Sequence, residues 1–197
     1  PRDVASLIDR AAANCPDNEA LDDGHQSLTF KQLADAVSAA ALLLHSAGIR
    51  SGDRVAASLG NEANLIIAFF AAMRLGAVWV GINKILPADD KRYILDHSGT
   101  KLLLTDTTLR DQIESLRKDI PALGLVWYLD TSNADGGWAT ALAAKPAVDA
   151  PKPDIDPFAP AAIMYTSGTT GVPKGVVHSQ HNMVVVPAGE FSHGILQ

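Results

Sequence analysis

One stretch of the sequence concentrates side chains that suit the binding of a polyphosphate. Between Thr166 and Lys174 lie Ser167, Gly168, Thr169, Thr170, Gly171, Val172 and Pro173, directly after the apolar run Ala161-Ala-Ile-Met-Tyr165. Gly168 and Gly171 tolerate positive φ and let the backbone come close to a ligand, so that main-chain N–H groups can line an anion-binding concavity. Thr166, Ser167, Thr169 and Thr170 add neutral hydroxyl donors. Lys174 adds a compact charge with three donors that can follow a phosphate as it moves. Pro173 restricts Val172 to extended conformations and stiffens the return of the chain. Two common phosphate motifs are excluded. The Walker loop sets its lysine directly after its second glycine and a Ser or Thr after the lysine. Here five residues separate Gly168 from Lys174, and Gly175 follows. The dinucleotide fingerprint G-x-G-x-x-G does not occur.

A loop of this kind must be held by regular elements, and helix and strand signals alternate ahead of it. Residues 3–13 carry Val4, Leu7, Ile8 and Ala11 on one helical face. A longer helix is predicted after Thr29, its candidate N-cap, with Leu33, Val37, Ala40, Ala41 and Leu44 on one side and Gly48 as the C-terminal stop. Residues 54–59 read as a buried strand. Asn61 is predicted to start a helix that is apolar almost all round through Ile66, Phe69, Phe70 and Met73, as a buried helix is. Further strands are predicted at residues 77–82, 101–105 and 125–129, and helices at 87–97 and 109–118, with Pro87 in the first helical turn. Strands separated by helices at this spacing imply βαβ units and a parallel or mixed sheet flanked by helices on both faces. The runs at 101–105 and 125–129 are nearly continuously apolar, as doubly covered strands are.

The organisation read from this is an α/β subdomain over residues 1–130, a connection over 131–160, and the strand, phosphate loop and start of a helix over 161–197. The connection holds Gly136, Gly137 and the prolines 146, 151, 153, 157 and 160, with a short helical patch around residues 138–144. Composition narrows the function. The 197 residues are 47% hydrophobic and 19% charged, which suits a globular protein, and the formal charge of −6 argues against a nucleic-acid partner. Cys15 is the only cysteine, so an internal disulfide and a multi-cysteine metal site are excluded and a reducing, cytoplasmic setting is expected. The longest apolar run, residues 65–73, is too short to span a bilayer.

The segment from Ile163 through Lys174 resembles the signature of the adenylate-forming superfamily: acyl-CoA synthetases, peptide-synthetase adenylation domains and beetle luciferases. That signature is an apolar residue, two variable positions, then a hydroxyl- and glycine-rich loop ending in Pro-Lys. Gly52-Asp53-Arg54-Val55, Leu75-Gly76-Ala77 and Ser98-Gly99 look like the same family. The resemblance implies a partial N-terminal domain of such an enzyme, in which Thr166, Ser167, Gly168, Thr169, Thr170, Gly171 and Lys174 embrace the β- and γ-phosphates of ATP. It implies attack of a substrate carboxylate on the α-phosphorus, giving an acyl-adenylate and pyrophosphate, and then thioester formation with coenzyme A. Lys174 is the implied catalytic residue. Magnesium would accompany ATP, its ligands expected outside this chain, as would a ribose-binding aspartate and a late catalytic lysine. Only residues 175–197 follow Lys174, so the chain is expected to be the N-terminal part of a longer enzyme. The implied partners are a small carboxylic acid, ATP and coenzyme A, and a homodimer is compatible with them. The Thr169-Thr170 pair favours a ligase over a peptide-synthetase adenylation domain. A non-catalytic nucleotide-binding module is the remaining alternative.

Other residues read as structural. The family commonly has histidine where this chain has Gln180, which removes support for a catalytic His178 or His181. Asn182 is expected to cap the helix after the loop. Trp79, Trp127 and Trp138 are expected in the core or at its edge, and Asp89, Asp90, Lys91 and Arg92 on a solvated helix face. His25, His45, His97 and His193 show no mutual metal-ligand spacing.

Overall fold

The long helix α2 (Phe30–Ser46) shows how closely local sequence sets local structure. Thr29 Oγ1 accepts from the Gln32 amide at 3.2 Å and Gln32 Oε1 accepts from the Thr29 amide at 2.8 Å, a reciprocal capping box. The helix stops at Gly48, whose φ of 89° is left-handed, and the Ile49 amide closes back onto the Leu44 carbonyl at 3.0 Å. The computed structural model describes residues 3–129, 137–143, 150–166 and 172–185. Before α2 come α1 (Ala5–Asn14) and a two-stranded antiparallel hairpin, β1 (Glu19–Asp22) and β2 (Ser27–Thr29). After it follow β3 (Arg54–Ser58), α3 (Ala63–Arg74), β4 (Val78–Gly81), α4 (Ala88–His97), β5 (Leu102–Asp106), α5 (Arg110–Arg117), β6 (Leu125–Leu129), α6 (Trp138–Ala143), β7 (Pro160–Thr166) and β8 (Lys174–Ser179).

Six strands form one mixed sheet in the order β6-β5-β3-β4-β7-β8, parallel throughout except for β8, which runs antiparallel to β7. Side chains alternate across it. Val55, Ala57, Leu102 and Leu104 point into a core shared with α1, α2 and α3, where Leu33, Val37, Leu44 and Ile67 are buried. Ala56, Val80 and Leu103 point the other way, onto Ile94 and Leu95 of α4 and Ile113 and Leu116 of α5. This is the layered α/β arrangement that the alternating elements predict. Trp79 and Trp138 are buried, and Trp138 Nε1 donates to Asn64 Oδ1 at 2.9 Å.

Several local expectations need correction. α3 begins at Ala63, not Asn61, and its first amide donates to Asp23 Oδ2 at 2.8 Å; a residue of the β1–β2 turn thus caps a helix 40 positions away. Pro87 sits at the N-cap of α4, one residue before the helix. Lys91 does not lie on a solvated face. It is 1% exposed, and its ammonium donates to the Lys84 carbonyl at 2.7 Å and to Gln112 Oε1 at 2.8 Å. Burial, then the nearby Lys84, pushes its pKa down. Asp89 and Arg92 are exposed as expected. Residues 180–185 are helical and Ser179 Oγ accepts from the Asn182 amide at 3.2 Å, so Ser179 is the cap and Asn182 lies inside the first turn. Among the described residues, no helix is long and apolar enough to cross a membrane.

Candidate active site

β7 owes its position to its apolar residues. Ala161 and Ala162 are buried against the α1–α3 core, and Ala162 and Ile163 pair in parallel with Trp79 and Val80 of β4. The carboxyl end of β7 therefore opens on the same edge of the sheet as those of β3, β4 and β5. In open α/β sheets ligands bind along that edge. The chain returns as β8, with Thr166 paired to Lys174 and Tyr165 to Gly175. The two ends of the candidate phosphate loop are thus direct cross-strand neighbours, and both side chains are exposed. Among the described residues Lys174 has no ion-pair partner. Ser167, Gly168, Thr169, Thr170 and Gly171 lie outside the described residues.

The base of this hairpin is tightly fitted. An added Cβ on Gly175 would stand 2.9 Å from Ile163 Cγ2 and 3.2 Å from Tyr165 Cζ, so the tyrosine ring lies against bare backbone. Tyr165 also reaches α4: its Oη and His97 Nδ1 are 2.8 Å apart. Burial, then neighbouring Tyr93, raises the Tyr165 pKa, which keeps the hydroxyl protonated. Sequence reasoning missed both contacts. The only available signal for the first was a glycine beside Lys174, and for the second there was none.

Charged residues tie together the other loops on this edge. Lys84 pairs with Asp106 at 2.6 Å. Burial, then Asp106, raises the pKa of Glu62, which stands at the start of α3. Asp23 is held down to about 2 by the backbone amides of Ala63, Gln26 and His25. No group of three His, Cys, Asp or Glu side chains among the described residues could hold a metal ion. Gln180 is fully buried, where its Oε1 accepts from the Val4 amide at 3.1 Å and anchors α1. His181 stacks on Phe158 with ring centroids 5.1 Å apart. A small apolar pocket lined by Gly52, Gly76, Val78, Pro160 and Val177 lies at the opposite, amino end of the strands.

A family model described as AMP-binding enzyme matches residues 8–190. Malpibaldin synthetase of Mortierella alpina is 37% identical over 179 residues, covering 88% of this chain and 3% of the synthetase. Sulfoacetate–CoA ligase of Cupriavidus necator is 35% identical over 188 residues, covering 92% of this chain and 35% of the ligase. The inhibitor-bound N-terminal domain of FACL13 from Mycobacterium tuberculosis superposes with a TM-score of 0.81 at 31% identity, covering 90% of this chain and 44% of that one. The chain thus spans well under two thirds of each. The matched span carries the mixed sheet with its closing hairpin and the residues between Thr166 and Lys174, and the chain belongs to the AMP-binding enzyme family.

Proposed function

We propose that this chain is the N-terminal part of an ATP-dependent ligase that activates a carboxylic acid as its acyl-adenylate and then passes the acyl group to the thiol of coenzyme A. The observation that carries the reading is the pairing of Thr166 with Lys174 at the carboxyl edge of the sheet, on either side of a loop of glycines and hydroxyls. The donor set fits a polyphosphate. It offers an exposed ammonium, hydroxyls and main-chain N–H groups, and no carboxylate within the loop to repel it. Lys174, with Thr166, Ser167, Gly168, Thr169, Thr170 and Gly171, would bind the β- and γ-phosphates of ATP.

A carboxylate is a poor acylating agent because hydroxide leaves badly, whereas AMP leaves well. Attack of the carboxylate oxygen on the α-phosphorus breaks the bond to pyrophosphate, and negative charge builds on the departing group. Lys174 would stabilise that charge, a positioning and electrostatic role that needs no covalent nucleophile from this segment. Magnesium would enter with ATP.

The identity to malpibaldin synthetase supports a second reading, a peptide-synthetase adenylation domain, which shares the first half-reaction and delivers the acyl group to a carrier thiol. The Thr169-Thr170 pair favours coenzyme A. Carboxylate-dependent ATP–pyrophosphate exchange by the complete natural protein, followed by assay of acyl-CoA, tests both. Exchange with a carboxylic acid and thioester formation are expected. Exchange that responds only to amino acids and yields no acyl-CoA would favour the second reading, and no exchange with any acid would overturn both.

A further inference from the structure

The hairpin that displays the loop sits at the sheet's edge and is thinly covered. Met164, Val176 and Val177 are 49%, 46% and 56% exposed, and beyond β8 no strand pairs with it among the described residues. Its loop end therefore needs some other support if Thr166 and Lys174 are to keep a fixed geometry. The aromatic contacts supply one. Tyr93 and His97, one turn apart on α4, stack with centroids 5.1 Å apart and planes 19° apart. The edge of Tyr165 meets both rings at close to a right angle, 87° to Tyr93 and 81° to His97. The stack fixes the plane of the imidazole, and the 2.8 Å contact from His97 Nδ1 to Tyr165 Oη then fixes the tyrosine. α4 is itself immobilised by Ile94 and Leu95, both buried in the sheet. Tyr165 in turn precedes Thr166 and lies against Gly175, next to Lys174.

We propose that His97 is a positioning residue: by holding the Tyr165 hydroxyl to α4 it sets the separation and orientation of Thr166 and Lys174, and so speeds adenylation without touching substrate. This rests on the ligase reading above. The hydrogen bond joins residues 68 apart at a solvent-facing site, where it contributes little to global stability but fixes one strand end. Positioning errors of about an ångström are enough to slow a reaction of this kind as much as about a hundredfold.

Two measurements on the complete natural protein separate this proposal from the reading beneath it. The first is amide hydrogen exchange at Thr166, Lys174 and Gly175, which reports the hairpin base whether or not the protein turns over. Tyr165→Phe and His97→Ala should each speed exchange at these amides about tenfold, the factor expected for loss of one such hydrogen bond. His97→Asn, which returns a polar atom near the Nδ1 position, should stay close to wild type. The second is carboxylate-dependent ATP–pyrophosphate exchange. Both disruptive variants should lose about tenfold in kcat with KM for the acid little changed, and the double variant should be no worse than either single one, as expected of partners in one contact. Unchanged amide exchange in His97→Ala would overturn the proposal, as would full turnover in both single variants or additive losses in the double. Failure of wild type to catalyse exchange with any acid would overturn the ligase reading. The amide measurement alone would then show whether the latch holds the hairpin.

Discussion

Replacing Gly175 with alanine tests the hairpin base most directly, because its consequence can be worked from contacts. The added Cβ would lie 2.9 Å from Ile163 Cγ2 and 3.2 Å from Tyr165 Cζ. Carbon atoms settle at about 3.5–4.0 Å, so β8 must back away from β7 by roughly half an ångström or more. Ile163 cannot easily turn aside, since its branched side chain is stiff at χ1. Overpacking of this kind costs about 1–3 kcal/mol, offset by about 0.4–1 kcal/mol from the reduced freedom of the unfolded chain. The balance runs from near zero to a loss of about 2.6 kcal/mol, or a fall in Tm of up to several degrees for a chain of this size. The effect on activity should be larger than the effect on stability. The displacement falls one residue from Lys174, and misplacement by an ångström can cost about a hundredfold in rate. Differential scanning calorimetry and single-turnover acyl-adenylate formation would be measured side by side on the complete natural protein. Gly137→Ala, where an added Cβ meets nothing within 4 Å, is the control and should leave both unchanged or slightly raise Tm. If Gly175→Ala matched wild type in Tm and rate, Tyr165 would not be packed on Gly175, and the hairpin base would differ from the one described.

Three further outcomes are expected. Lys174→Ala in the complete protein should lower the rate of acyl-adenylate formation by about a hundredfold or more, on the order of 3 kcal/mol, with little effect on binding of the acid. Lys174→Arg should restore little of it. A single-turnover rate within about threefold of wild type would make the lysine dispensable. The 197-residue chain on its own should not catalyse carboxylate-dependent ATP–pyrophosphate exchange, and turnover at ordinary enzymatic rates would refute this. Asp23 should make folding acid-sensitive. Its pKa falls from 3.8 to about 2 on folding, so its stabilisation is complete above about pH 4 and is lost as pH falls toward 2. Asp23→Ala should remove that dependence from urea titrations and cost about 1 kcal/mol at neutral pH, the usual worth of a helix cap. A pH profile identical to wild type would contradict the capping role.

What the sequence determined by itself is what a few neighbouring residues can encode. Thr29 and Gln32 sit one helical turn apart and specify a helix start, Gly48 specifies its stop, and the apolar runs mark buried strands. The glycines, hydroxyls and lysine between Thr166 and Lys174 mark the site, because the chemistry they can do depends on side-chain type and short spacing. Other features need the three-dimensional path. Asp23 caps α3 and His97 meets Tyr165 only because the sheet brings distant segments together. Lys91 lies within a charged run that reads as solvated, yet α4 turns it inward to the Lys84 carbonyl and Gln112, which compensate its burial. β8 was missed because its valines are uncovered on both faces, so no alternation marks it; pairing with β7 makes it a strand. Local hydrogen bonds and steric preferences operate over a turn or two and are written in order along the chain. The placing of Lys174 beside Thr166, across a loop and an antiparallel return, is decided by which backbone edges are left to pair once the parallel core has formed.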